Sequence, residues 1–294
     1  SGAEANEAAI KLARKHGAAK REGRYEILST YNSFHGRTLA TLTATGQEKF
    51  QQGFQPLVPG FRYVPFGDAA AMEGAVRNET VAILVEPIQG EGGVVVPPEG
   101  YLRGLRKLCD ARDLLLILDE VQVGMGRTGS LFAHEQEGVR PDIMTLAKAL
   151  GGGIPIGAML TTEEIARSFT QGTHGSTFGG NPVACAAGAA VVQTLLEEGL
   201  LDNCRRMGER LRAGLEKLRG PVPMIRDVRG RGLILGAELD RPGRPLVAAA
   251  LEAGLVINCT ADKVIRFLPP LVLGPEDVDR GLELLEKAFR ETKW

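Results

Sequence analysis

Leu114–Gln122 reads LLLILDEVQ: five aliphatic residues in a row, closed by two acids. A run that is apolar at every position, without alternation, fits a strand buried on both faces. Such strands belong to parallel sheets covered by helices, and ligands gather where their carboxyl ends emerge. Asp119 and Glu120 stand at that edge. A carboxylate there can keep a pyridine nitrogen protonated and so turn the ring into an electron sink. An aspartate in this place is also a common helix N-cap, and these residues alone leave both readings open.

Outward from this run the same grammar repeats. Val81–Glu86 (VAILVE) is a second continuous apolar run ending in an acid, and Tyr25–Thr30, Ile143–Leu146 and Gly157–Thr161 are shorter β-type runs. Helical patterns separate them, which predicts an α/β fold with a mainly parallel sheet. From Leu200 the character changes. An Arg-, Glu- and Leu-rich helix runs to about Leu218, two strand-like runs follow (GLILGAEL and VIRFLPPL), and an amphipathic helix carrying Val278, Leu282 and Leu285 on one face closes the chain. The expected division is a large domain over residues 1–198 and a smaller α+β domain over 199–294.

The chain has 294 residues, a net charge of -1 and 44% hydrophobic residues, enough for one large core and a smaller one. Near-neutral charge without a basic stripe argues against nucleic acid or an anionic membrane as a partner. No apolar run approaches the roughly 20 residues that span a bilayer, and no leader pattern is visible. Cys109, Cys185, Cys204 and Cys259 are widely spaced and form no C-x-x-C pair. That predicts reduced thiols in a cytoplasmic protein rather than a disulfide framework or a metal site. The chain opens on Ser1, not on Met, and runs directly into a helix. It reads as a protein whose beginning is missing, or one made in separate pieces.

Several segments carry possible chemistry. SGAEANEAAIKLARKHG (1–17) reads as a helix with Glu4 and Glu7 in its first turn, Lys11, Arg14 and Lys15 in its last, and Gly17 as its stop. The small side chains of Ser1, Gly2 and Ala3 would let an anion reach the free backbone N–H groups, though a capped surface helix looks the same. In TYNSFHGRT (30–38), Phe34 can lie flat on a planar ligand and Arg37 can clamp a carboxylate; a turn with a packed Phe and a solvated Arg is the plainer alternative. VEPIQGEGG (85–93) places Glu86 and Glu91 around a Gly-rich turn suited to a loop over a ligand. GMGRTG (124–129) matches G-x-G-x-x-G, but it does not immediately follow its strand and no acid closes a second strand at the right distance. The dinucleotide reading is therefore rejected. In TLAKALGGGIPIGA (145–158), Lys148 has apolar neighbours on both sides and glycines after it. That suits a desolvated lysine of depressed pKa able to form a Schiff base. In THGSTFGGNP (173–182), Ser176 and Thr177 offer hydroxyls to a phosphate, and Asn181-Pro182 reads as a helix start.

Taken in order, SGAEANEAAIKLAR, FHGRT, VEPIQGEGG, DEVQVGMGRTG, AKALGGGIPIGA, HGSTFGGNP and RGRGLILGAEL…VIRFLPPLV resemble the class III aminotransferases over the whole chain. The resemblance implies the fold type I architecture of pyridoxal-phosphate-dependent transferases, with a mostly parallel mixed sheet and a smaller C-terminal domain. It implies pyridoxal 5'-phosphate as cofactor and no metal. Lys148 resembles the Schiff-base lysine that also shuttles the proton, Asp119 the partner of the pyridine nitrogen, and Gln122 a contact to the ring's phenolic oxygen. Phe34 would stack on the ring, with His35, Glu86 and Val121 among the cofactor contacts. Ser1, Gly2 and Ala3 resemble the phosphate-cradling turn. Thr177 resembles the phosphate ligand that a homodimer's other subunit supplies. Arg37 and Ser176 match positions that contact N2-acetylornithine, and Arg266 the arginine that binds the α-carboxylate of glutamate. Glu91 resembles the gate that pairs with that arginine when the other substrate is bound. The substrates implied are N2-acetylornithine or a relative together with glutamate/2-oxoglutarate. Ornithine, succinylornithine, 4-aminobutyrate or carrier-bound lysine as donor, an aminomutase, and a non-catalytic cofactor-binding remnant are the alternatives. Family members carry a further segment ahead of the phosphate turn, which helps wall the substrate pocket.

Overall fold

The computed structural model describes residues 1–294. The chain forms two compact units. The first holds Ser1–Pro87, Pro97–Met125 and His134–Thr194, and the second Ile88–Val96, Gly126–Ala133 and Leu195–Trp294. The second unit starts a few residues before the expected boundary and also takes two short excursions from the first half, which a single cut after residue 198 leaves out.

The first unit is built on a six-stranded sheet. Its strands are β1 (Glu26–Thr30), β2 (Phe61–Val64), β3 (Thr80–Val85), β4 (Leu115–Asp119), β5 (Ile143–Leu146) and β6 (Ala158–Thr161), in the order β2-β1-β3-β4-β5-β6. All neighbours run parallel except β6, which is antiparallel to β5. The continuous apolar runs bury alternate residues on opposite faces. Ala82, Leu84, Leu115 and Ile117 pack with Ile10, Leu12 and Ala13 of the helix Gly2–Lys20. Ile83, Val85, Leu116 and Leu118 pack with Met72 of the helix Ala69–Ala75 and Leu102, Leu105 and Cys109 of the helix Tyr101–Arg112. Each fully buried aliphatic side chain contributes about 1.5–3 kcal/mol.

Two details depart from the sequence reading. β2 was not anticipated: FRYV is a short edge strand with only Val64 buried, so it lacks the apolar run that marks a central strand. Gly17 does not stop the first helix, which continues to Lys20. The glycine serves close approach instead, since a Cβ there would lie 2.0 Å from the Arg24 carbonyl oxygen.

The second unit holds a four-stranded sheet of β7 (Ile225–Arg231), β8 (Ile234–Leu239), β9 (Asn258–Thr260) and β10 (Val264–Phe267), antiparallel in the order β7-β8-β10-β9. Its core joins Leu235, Ala237 and Ile265 to Leu211 and Leu215 of the helix Leu200–Leu218 and to Val278 and Leu285 of the helix Pro275–Glu291. β7 escaped the sequence reading because Arg226, Asp227 and Arg229 break its apolar pattern, as suits a charged edge strand.

All four cysteines are unpaired. Burial pushes the Cys109 thiol up to about 12 and raises those of Cys204 and Cys259, so none of these three is a ready nucleophile. No single helix is long and apolar enough to cross a membrane.

Candidate active site

The carboxyl ends of the parallel strands carry the chemistry of the first unit. Asp119 is the last residue of β4, Glu86 follows β3 directly, Lys148 lies two residues beyond β5, and the turn 32–37 follows β1. Together with the N-terminus of the first helix they enclose a cavity of about 450 Å³. Of the residues singled out in the sequence, Ser1, Gly2, Ala3, Phe34, His35, Arg37, Glu86, Asp119, Val121, Gln122 and Lys148 all line it. Thr177 and Ser176 do not; both lie on an exposed loop. Glu91 and Arg266 belong to the second unit.

Asp119 is 3% exposed and fully engaged on the protein side. Its Oδ2 accepts from the Asn6 side-chain amide at 2.7 Å and from His35 Nδ1 at 2.8 Å, while Oδ1 accepts from the Val121 backbone N–H at 3.0 Å. A carboxylate has about four acceptor positions, so these donors leave about one for a ligand. They also assign the histidine tautomer: facing an oxygen that only accepts, Nδ1 carries the proton. His35 Nε2 is buried without a partner.

The two acids of the DEVQ segment part company. Glu120 turns away from the cavity and accepts from both the backbone N–H and Nδ1 of His134, at 2.9 and 2.8 Å.

At the helix start, Ser1 Oγ accepts from the Glu4 backbone N–H at 3.3 Å. Gly2 is required by packing: a Cβ would stand 2.7 Å from Val121 Cγ1. Gly36 has φ +144°, and a Cβ there would meet Thr41 Oγ1 at 2.5 Å and Ala3 Cβ at 2.9 Å. These glycines thus let the helix start, the 32–37 turn and Val121 close around one space. The Phe34 backbone N–H donates to Glu86 Oε2 at 3.1 Å. Its ring meets Phe50 edge-on at 5.8 Å, and the Arg37 guanidinium lies over both rings, 4.2 Å from the Phe50 centroid and 5.3 Å from that of Phe34.

Lys148 corrects an expectation. Leu146, Ala147 and Leu150 around it are buried, but Lys148 itself is exposed. Its backbone is left-handed, with φ +45°. A left-handed backbone at a non-glycine residue costs about 1–2 kcal/mol and gathers at functional sites.

In the second unit, Arg266 is 7% exposed and its Nη1 donates to Glu91 Oε1 at 2.7 Å. The loop bearing Glu91 is anchored by Arg229, whose Nε and Nη2 donate to the Gly93 carbonyl at 3.0 and 2.8 Å, and by Thr260, whose hydroxyl donates to the Glu91 carbonyl. A second cavity, of about 490 Å³ and in this unit, has Arg266 and Asn258 on its wall among Val256, Phe267 and Leu282. The Gly-rich 126–129 turn is structural: Arg127 donates to the carbonyls of Leu233, at 3.2 Å, and Pro269.

Sequence reasoning passed over Asn6, Thr145 and His134. Asn6 had a signal, since it shares the inward helix face with Ala9, Ile10 and Ala13, an unusual place for a side chain that is a poor helix former.

Comparison with known proteins follows the same lines. The family model for class-III aminotransferases matches residues 1–289. The acetylornithine aminotransferase of Methanothermobacter thermautotrophicus is 53% identical over 285 residues, covering 97% of this chain and 72% of that protein. That of Methanocaldococcus jannaschii is 52% identical over 295 residues, covering 100% of this chain and 74% of that protein. Among solved structures, the ornithine aminotransferase of Toxoplasma gondii superposes with a TM-score of 0.95 at 38% identity, covering 99% of this chain and 71% of the other. The N-acetylornithine aminotransferase of Stenotrophomonas maltophilia gives 0.84 at 39%, covering 99% and 73%. The α/β architecture is accordingly fold type I, and by fold, sequence and the strand-end cavity alike this chain belongs to the class-III aminotransferase family.

Proposed function

We propose that the chain is a pyridoxal-phosphate-dependent acetylornithine aminotransferase, moving the δ-amino group of N2-acetylornithine to 2-oxoglutarate in arginine biosynthesis. The observation that carries this reading is Asp119, an anionic acceptor with about one open position, in the same cavity as the Lys148 amine. The residues fit the cofactor: small side chains at a helix N-terminus for its phosphate, an aromatic face at Phe34, a carboxylate for its ring nitrogen and an amine for its carbonyl. When bound, pyridoxal phosphate supplies a carbonyl that takes up the amino group and a ring that accepts electrons.

The chain's own groups do the rest. Asp119 would hold a proton at the ring nitrogen, and the backbone N–H groups of Gly2 and Ala3, with Ser1 beside them, would bind the phosphate. Lys148 Nζ takes a proton from the substrate's amino-bearing carbon and returns it. Arg37, laid against two aromatic faces, is preoriented to clamp the donor's carboxylate, and Ser176, outside this cavity, would reach the donor only from the other subunit of a dimer. Arg266 binds the α-carboxylate of glutamate or 2-oxoglutarate, and Glu91 occupies that arginine when the other substrate is present, so one protein can take two unlike substrates in turn.

The test is an absorbance titration of the purified chain with pyridoxal phosphate, followed by single half-reactions. A visible band that bleaches with N2-acetylornithine and with glutamate supports the reading. No band, or bleaching by ornithine or 4-aminobutyrate at higher kcat/KM than by N2-acetylornithine, overturns the substrate assignment. A second test addresses the gate. Glu91→Gln leaves Arg266 less well paired and is expected to shift kcat/KM toward glutamate over N2-acetylornithine by about tenfold, worth about 1.4 kcal/mol. An unchanged ratio means the pair does not gate.

We further propose that it works as a homodimer. The helix Pro182–Glu197 (PVACAAGAAVVQTLLE) has a single charged residue, yet Val183 is 68% exposed, and Phe178 just before it is 81% exposed. An apolar surface of this kind marks an interface. Thr177 lies in the same loop and would reach the other subunit's phosphate. Val183→Asp is expected to convert dimer to monomer in sedimentation experiments and to lower cofactor retention; a wild-type monomer with full cofactor occupancy rules the dimer out.

A further inference from the structure

Asn6 is 1% exposed and makes hydrogen bonds in two directions. Its amide nitrogen donates to Asp119 Oδ2 at 2.7 Å and to the His35 carbonyl at 2.8 Å, and its Oδ1 accepts from Thr145 Oγ1 at 2.7 Å. The orientation of this amide is not free. Both groups on the nitrogen side are acceptors, so a flipped amide would set oxygen against a carboxylate and a carbonyl, with Thr145 unable to compensate. Thr145 is 0% exposed, so its hydroxyl is shut off from bulk water.

One side chain therefore joins four segments. It belongs to the helix whose first residues line the cavity, holds the 32–37 turn through His35, grips the end of β4 through Asp119, and is held from behind by β5 through Thr145. A buried amide on a helix face that is otherwise Ala and Ile is costly unless its bonds are satisfied, and here both bonds from its nitrogen end on residues that line the cavity, His35 and Asp119. The pair Glu120–His134, also buried, lies off the cavity lining.

We propose that Asn6, backed by Thr145, is a positioning residue for Asp119: it fixes the carboxylate's rotamer and keeps His35 on the same oxygen, so that a single acceptor position is presented to a ligand N–H. The proposal rests on the reading of Asp119 as partner of the ring nitrogen. It deepens that reading by naming what holds the acid in place. Asn6 itself touches neither substrate nor cofactor.

The test uses the full chain. Asn6→Asp keeps the shape but replaces the donor by an oxygen 2.7 Å from Asp119 Oδ2. In the cofactor-loaded protein, kcat is expected to fall by about 10- to 100-fold, the range for groups that orient a directly contacting residue without touching the ligand. KM for either substrate is expected to stay within about threefold, since uniform binding is untouched. A readout independent of activity is the His35 Nδ1–H proton resonance in the cofactor-free protein, downfield of the amides, which should move in Asn6→Asp and move less in Thr145→Val. Thr145→Ser, which keeps the hydroxyl, should restore both the resonance and most of the kcat lost in Thr145→Val. If Asn6→Asp fails to fold by circular dichroism, the Thr145 pair carries the test. Asp119→Asn is the control. If it loses turnover while the Asn6 and Thr145 variants keep kcat and the His35 resonance, the positioning role is wrong and the reading of Asp119 survives. If Asp119→Asn itself keeps full turnover, that reading fails and the inference falls with it.

Discussion

Lys148→Ala is expected to lower turnover by on the order of 10⁴-fold, because no second lysine lines the cavity to replace a lost nucleophile and base. The same change is expected to leave stability within about 0.5 kcal/mol, since Lys148 is exposed and Ala inherits the same left-handed backbone. Lys148→Gly separates the two properties further. Glycine adopts φ +45° without a Cβ penalty, so it should be as inactive as the alanine variant but about 1 kcal/mol more stable than it. Steady-state kinetics with thermal melts of all three proteins check this. A Lys148→Ala variant with more than a tenth of wild-type turnover would remove Lys148 from the chemistry.

Asp119→Asn is expected to fail twice, for separable reasons. Every hydrogen bond to the carboxylate comes from a donor: Val121 on Oδ1, and Asn6 and His35 on Oδ2. An asparagine has one oxygen and one NH₂ to offer. With the oxygen toward Asn6 and His35, its NH₂ faces the Val121 N–H; turned over, its NH₂ faces the Asn6 amide. Either way a buried donor goes unpaired, at about 1–3 kcal/mol. The second loss is the negative charge aimed at the cavity, and with it the proton held on the ring nitrogen. Turnover should drop by about 10²- to 10³-fold, as when a preorganised electrostatic partner is removed. Denaturant unfolding reads the first loss and single-turnover rates the second. A variant destabilised but fully active would assign Asp119 to structure alone.

Much of the fold was legible. LLLIL and VAILV announce central strands because burial on both faces removes the need for alternation, and both are found there, as β4 and β3. The helix Leu200–Leu218 and the closing helix were legible from their one-sided apolar pattern. β2 and β7 were not, because an edge strand needs neither a continuous nor a strictly alternating apolar run. The excursions 88–96 and 126–133 into the second unit were equally hidden. What holds them are single contacts such as Arg229 on the Gly93 carbonyl, between residues 136 positions apart, which leave no local pattern.

The motif residues were found because their types are rare in combination: an acid closing a buried strand, a lysine before three glycines, an aromatic beside an arginine. Their environment was harder. A lysine with apolar neighbours reads as desolvated, yet Lys148 is exposed, on a left-handed backbone. In the DEVQ segment both acids stood as candidates, and only the fold sends Asp119 to the cavity and Glu120 to His134.

Hydrophobic periodicity and strand-end chemistry thus determine, from the sequence by itself, the α/β class, the strands that form the centre of the sheet and the edge at which the reactive groups emerge. Those are properties of neighbouring residues, set by burial and backbone propensity over a few positions. Tertiary structure alone decided that Asn6 meets Asp119 across 113 positions and Thr145 across 139, and that the acid retains about one open acceptor position. Hydrogen bonds of 2.7 Å between such distant residues exist only once packing has brought their elements together, and no local pattern encodes that distance.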